Sequence, residues 1–229
     1  FTMMRALGMS YYTIRFVDVG NGVKNAMDLN KREIKRLQKL HGEFGIHVSS
    51  IGSPIGKVKL LDQEDGTQNR YVPFKQYLDK DVNRAIELAH AFDTKLIRGF
   101  SYYHPHGEDP WPYLDQAADQ LSEIVERCAT AGVIYGLEIE SHLIGGDGAT
   151  LRALWEKINS PYTYIIMDVG NMESAGHSPD SVYAEYVKTK PGMGWIHIKG
   201  FNAPANRPML NRAGKRGLTR FIPVDQGDA

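Results

Sequence analysis

Three residues whose types could together hold a metal ion recur at equivalent places along the chain. They are Glu138 in AGVIYGLEIESH, Asp168 in YTYIIMDVGN and His197 in MGWIHIKG. Side chains alternate between the two faces of a strand. In the first stretch Val133, Tyr135, Leu137 and Ile139 therefore share one face, opposite Ile134, Gly136, Glu138 and Glu140. In the second, Ile165, Met167 and Val169 oppose Tyr164, Ile166 and Asp168; in the third, Ile196 and Ile198 oppose Trp195, His197 and Lys199. Each polar group falls toward the carboxyl end of its strand, where α/β sheets and barrels keep their ligands. Two carboxylates and an imidazole suit a hard or borderline divalent ion: Mn²⁺, Mg²⁺, Co²⁺ or Zn²⁺. The plainer alternative is that Glu138 and Asp168 form rim ion pairs with Arg98 or Lys199.

Positioning these side chains requires a sheet whose strands all end on one side. The sequence predicts a short helix ending at Gly8, then a strand YYTIRFV with Tyr12, Ile14 and Phe16 on one face and Thr13 and Arg15 on the other. Arg15 then points with the acids. Helical periodicity runs from Asn30 to Phe44 and stops at Gly45; IHVSSIGS follows as a strand, and SPIGK as a loop carrying Lys57. A polar excursion from Asp62 to Arg70 reads as surface loop, and Phe74 to Phe92 as one helix. The strand TKLIRGFS, carrying Arg98, leads through YYHPHGEDPWPY to a helix from Leu114 to Ala131. After the Glu138 strand, helices from Ala149 to Ile158 and from Asp180 to Lys188 flank the Asp168 strand. The tail from Phe201 is irregular and basic.

Strand and helix alternate without a linker, which predicts a single domain over residues 1–229 with a parallel sheet. Six strands could build a doubly wound sheet. Polar residues at the ends of all the strands favour a (β/α)8 TIM barrel instead. Such barrels run to about 250 residues, so the first and last strands are expected outside a chain that opens without Met and closes on IPVDQGDA. A fragment of a barrel is the expectation.

Composition narrows the partners. With 27 basic and 27 acidic residues the formal net charge is zero, so no overall field attracts nucleic acid or an anionic membrane. No apolar run reaches membrane-spanning length. The one cysteine, Cys128, cannot close an internal disulfide, and an inert thiol in a reducing cytoplasm is expected. Whether the chain forms a homo-oligomer is left open.

The stretches SSIGSPIGK, LIRGFSYY, GLEIE, MDVGN, WIHIKGF and FIPVDQGDA, in this order, resemble the sugar phosphate isomerase/epimerase families of the xylose isomerase-like TIM barrel superfamily. The resemblance spans nearly the whole chain and implies that Glu138, Asp168 and His197 bind a divalent metal, with a glutamate on a final strand that has no counterpart here. Asn171 stands where some ketose epimerases carry a histidine, which makes it a candidate substrate contact. Gly200 stands where many relatives have an acid.

A metal chelated by a substrate carbonyl and the neighbouring hydroxyl stabilises the enediolate left when the proton between them is removed. One carboxylate, Glu138, would remove that proton and another would return it. Return to the opposite face epimerises a sugar or sugar phosphate, return to the adjacent carbon isomerises it, and loss of the β-hydroxyl dehydrates it, as in inosose or dehydroshikimate dehydratases. Arg15, Lys57, Arg98 and Lys199 are candidates to hold hydroxyls or a phosphate, Lys57 foremost, and Glu140 to support groups behind the ligands. Trp195 is expected to pack inside the barrel. A metal-dependent endonuclease of abasic DNA and a noncatalytic sugar-binding barrel are the competing readings. His104 and His106 in HPH could bind a second ion but read more simply as solvated, and GGDGAT at Gly145 to Thr150 as a flexible loop and helix cap.

Overall fold

The computed structural model describes residues 1–20, 22–201, 221, 222 and 224. After a short helix α1 (Thr2–Ala6), β1 (Tyr11–Ile14) runs into an antiparallel hairpin of β2 (Phe16–Asp18) and β3 (Val23–Asn25). The predicted single strand YYTIRFV is therefore broken at Arg15. Phe16 is 57 % exposed on the hairpin and does not continue the apolar face of β1. Then come β4 (His47–Gly52), β5 (Leu96–Gly99), β6 (Ile134–Glu138), β7 (Thr163–Asp168) and β8 (Met193–His197). With β1 they form one six-stranded parallel sheet in the order β1-β4-β5-β6-β7-β8. The expected truncated (β/α)8 architecture is present as a half-barrel, with β1 and β8 as its edges.

The helices form where the local signals place them. Asn30 caps α2 (Lys31–Phe44) by accepting from the N–H of Arg32 and Glu33, while the Glu33 carboxylate accepts from the Asn30 N–H. Gly45, at φ 60°, ends it in the left-handed conformation that glycine adopts freely. The predicted helix from Phe74 is one run of α3 (Phe74–Tyr77), a π-helical turn (Leu78–Val82) and α4 (Asn83–Ala91). Beyond it lie α5 (Leu114–Thr130), α6 (Gly148–Ile158), α7 (Val169–Ser174) and α8 (Pro179–Thr189). No described helix is long and apolar enough to cross a membrane.

The main core lies between sheet and helices. Tyr135, Leu137, Ile139, Ile165 and Met167 pack there with Leu121, Ile124, Val125, Leu151 and Leu154, each at most 1 % exposed. Each such side chain stabilises the fold by about 1.5–3 kcal/mol through apolar burial. Because these residues occupy one strand face, Glu138 and Asp168 are turned to the other, inside the barrel.

One expectation about loops changes. The excursion after Lys59 is anchored inward, because Lys59 and Asp65, 7 % and 4 % exposed at their side chains, pair at 2.8 Å. The FIPVDQGDA motif lies mostly outside the described residues, apart from Val224 and Phe221–Ile222, the latter pairing antiparallel with Gly200–Phe201. The remainder of the basic tail, residues 202–220, also lies outside them.

Candidate metal centre

Glu138 closes β6, Asp168 closes β7 and His197 closes β8, where it is the register partner of Asp168. One ligand atom from each lies within 4.8 Å of the others. Glu138 is 4 % exposed and Asp168 is fully buried, and two carboxylates so far from water require positive charge beside them. His197 Nδ1 faces both, 3.3 Å from Asp168 Oδ2 and 3.6 Å from Glu138 Oε2.

The chain's own cations occupy the same place. Arg98 of β5 sets its Nε 3.2 Å from Glu138 Oε2, and Lys199 brings its Nζ to 2.6 Å from Asp168 Oδ2. The cluster of candidate ligands and the rim ion pairs, alternatives in the sequence, are formed by the same side chains. Gly170 makes the lysine contact feasible, since a Cβ there would stand 2.9 Å from Lys199 Cβ and 3.0 Å from its Cδ. Among the described residues neither Asp168 Oδ2 nor Arg98 Nε has an aligned hydrogen bond. A buried carboxylate oxygen held only by charge fits a cation ligand, and two carboxylates with one imidazole fit a divalent ion.

The electrostatics follow. Burial alone would lift the Glu138 carboxyl, but His197 and Arg98 outweigh it and hold it well below the usual carboxylate range. Burial alone would lower the His197 imidazole; the carboxylates of Asp168 and Glu138 win and raise it to about 9. Burial draws the Arg98 guanidinium down from its ordinary value against the opposing pull of Glu138.

Asn171, a candidate substrate contact in the sequence, bonds to two of the candidate ligands. Its Nδ2 donates to Glu138 Oε1 at 2.9 Å and to the Ile139 carbonyl at 3.0 Å, and its backbone N–H donates to Asp168 Oδ1 at 2.9 Å. Its Oδ1 accepts from Lys199 Nζ at 2.8 Å. Asp168 also caps α7 through that backbone contact, so one carboxylate is both helix cap and candidate ligand. The short helix left no apolar period in the sequence, and the role of Asn171 was invisible without it.

The other candidates divide. Glu140, beyond the end of β6, pairs with Lys57 at 2.7 Å and does not touch the ligands in any described contact, so Lys57 is ion-paired and not freely solvated. Lys57 Nζ and the Arg98 guanidinium both lie over the Phe100 ring, at 4.2 and 4.6 Å from its centroid. Arg15 is exposed beside Gly52, where a Cβ would meet both Arg15 Cβ at 2.8 Å and Arg98 Nη2 at 3.3 Å. Trp195 is 37 % exposed and lines a hollow with Tyr11, Val48 and Lys95 near the strand starts, so it is neither fully packed nor at the rim.

His104 and His106 line a cavity of about 290 Å³ with His142 and Glu108, outside the one group among the described residues whose atoms lie close enough to hold a metal ion. At GGDGAT, Asp147 caps α6 and the Gly148 N–H donates to Glu185, so the chain's own carboxylates fill that helix start. Cys128 is fully buried and burial pushes its thiol up to about 12, in keeping with an inert side chain.

No curated protein matches the sequence. Among solved structures, a xylose isomerase-like TIM barrel protein from Mycobacterium smegmatis in complex with magnesium aligns at TM-score 0.66 and 17 % identity, over 98 % of this chain and 71 % of that one. The probable 3-DHS dehydratase AsbF of Bacillus anthracis aligns at TM-score 0.69 and 14 % identity, over 99 % and 77 %. An L-ribulose 3-epimerase aligns at TM-score 0.60 and 19 % identity, over 89 % and 65 %. At these identities the likeness is one of fold. The family model for the xylose isomerase-like TIM barrel matches residues 1–229, and the chain belongs to that family.

Proposed function

We propose that this chain is a divalent-metal-dependent isomerase or epimerase of a sugar or sugar phosphate. The observation that carries the reading is the convergence of Glu138, Asp168 and His197 from three successive strands, with ligand atoms within 4.8 Å of one another. A divalent ion there would supply a Lewis acid for a substrate carbonyl and its neighbouring hydroxyl.

The chain's own groups support proton transfer beside it. Glu138 is held well below the usual carboxylate range, so it is ionised across the physiological range, as a ligand and a proton acceptor both require. Its low basicity means that the substrate C–H must be acidified before Glu138 can take the proton. Asn171 fixes the carboxylate through Oε1. Arg98, in reach of Oε2, adds positive charge beside the carboxylate, of the kind that could stabilise a developing oxyanion.

The test is proton exchange. With Mn²⁺ in D₂O, a panel of ketoses and ketose phosphates is followed by proton NMR for loss of the C–H signal next to the carbonyl. Exchange in the wild type, absent in Glu138→Gln, is the expected result. No exchange on any member, with Mn²⁺ bound, would contradict it. Loss of water from the substrate would mark the second reading, a dehydratase.

A further inference from the structure

We propose that a divalent cation and a dianionic, phosphate-type group of the substrate bind this rim cooperatively, because the metal takes over the carboxylates that otherwise neutralise Arg98 and Lys199. The inference rests on the metal reading above.

In the described structure the rim carboxylates each face a cation of the chain: Glu138 with Arg98, Asp168 with Lys199, Glu140 with Lys57. A 2+ ion held by Glu138 and Asp168 would draw on the charge of two of those carboxylates. Lys57 keeps Glu140; Arg98 and Lys199 share theirs with the ion.

Arg98 cannot adapt by moving into water or losing its proton. It is 5 % exposed, its guanidinium lies 4.6 Å from the Phe100 centroid, and a guanidinium stays charged in proteins. Its Nε has no aligned hydrogen bond among the described residues, and the Glu138 carboxylate, 3.2 Å away, supplies the nearest counter-charge. A buried cation whose counter-charge is shared is costly, and an incoming anion removes that cost. Arg15, which repels Arg98 across Gly52, adds to the excess. Metal bound first therefore prepares the anion site, and linkage requires the anion to tighten the metal by the same factor.

Sulfate, a tetrahedral dianion whose Mn²⁺ salt stays soluble, is the probe. Its binding is measured by titration calorimetry with and without saturating Mn²⁺, on wild type, Arg98→Met and Lys199→Met, each verified as folded by circular dichroism. The expected result is sulfate binding at least about tenfold tighter with Mn²⁺, and Mn²⁺ tightened equally by sulfate, as typical coupling allows. In either variant the coupling should fall below about threefold while Mn²⁺ still binds. Should Arg98→Met fail to fold, Lys199→Met, altered at a side chain 34 % exposed, carries the test. Mn²⁺ binding with sulfate affinity unchanged, or coupling undiminished in the folded variants, overturns the inference and leaves the metal site standing. Absence of Mn²⁺ binding overturns both.

Discussion

The side-chain amide of Asn171 donates to Glu138 Oε1 at 2.9 Å, one turn into the helix that Asp168 caps. The contact fixes which oxygen of Glu138 faces the cluster, because Oε1 is committed to the amide and Oε2 is left toward Arg98 and His197.

Asn171→Ala should weaken Mn²⁺ binding by about 10–100-fold, the usual cost of losing a group that orients a ligand. Titration calorimetry reads it. An unchanged affinity would show that Glu138 needs no such support.

His197 gives a pH dependence with a definite sign. Its imidazole is raised to about 9 by the two carboxylates, above the ordinary value of 6.5. In the metal-free protein this contribution to stability is fully present below about pH 6.5. It is lost as pH rises through 9. A metal needs the neutral ring, so binding at pH 7 should release a proton and tighten as pH rises toward 9. Calorimetry in buffers of different ionisation enthalpy measures the release; none would remove His197 from the ligand set.

Gly170→Ala should act in two directions at once. The added methyl would stand 2.9 Å from Lys199 Cβ and displace the lysine, lowering the thermal midpoint. Freed from Lys199, Asp168 should bind Mn²⁺ roughly threefold more tightly, the scale of a partly exposed ion pair. Weaker binding would mean that Lys199 helps to build the site and does not compete for it.

Asp147→Ala removes the oxygen that accepts from the N–H groups of Ala149 and Thr150. It should cost about 0.5–2 kcal/mol of stability, read by urea denaturation, with Mn²⁺ affinity untouched. A loss of metal binding would connect the α6 cap to the centre.

Strand alternation made the clustering of the candidate ligands legible, since the apolar partners Tyr135, Leu137, Ile165 and Met167 leave Glu138 and Asp168 only the inner face. The same rule misled at YYTIRFV, where alternation continues through Phe16 although the chain has already turned into a hairpin. Contacts made across the fold were not legible. Lys59 and Asp65 look like ordinary surface charges until they are seen to neutralise each other under cover, and Asn171 depends on a six-residue helix with no period to announce it. Arg98 was expected to form an ion pair, and it does, but only the distances show that its partner is the candidate ligand Glu138.

Mn²⁺ titration calorimetry on the wild type beside folded Glu138→Gln and Asp168→Asn tests the central claim most directly. Binding in the wild type, weakened strongly in both variants, is the predicted result. Equal binding in all three, or none in any, would contradict it and leave Glu138 and Asp168 as carboxylates that serve only to balance Arg98 and Lys199.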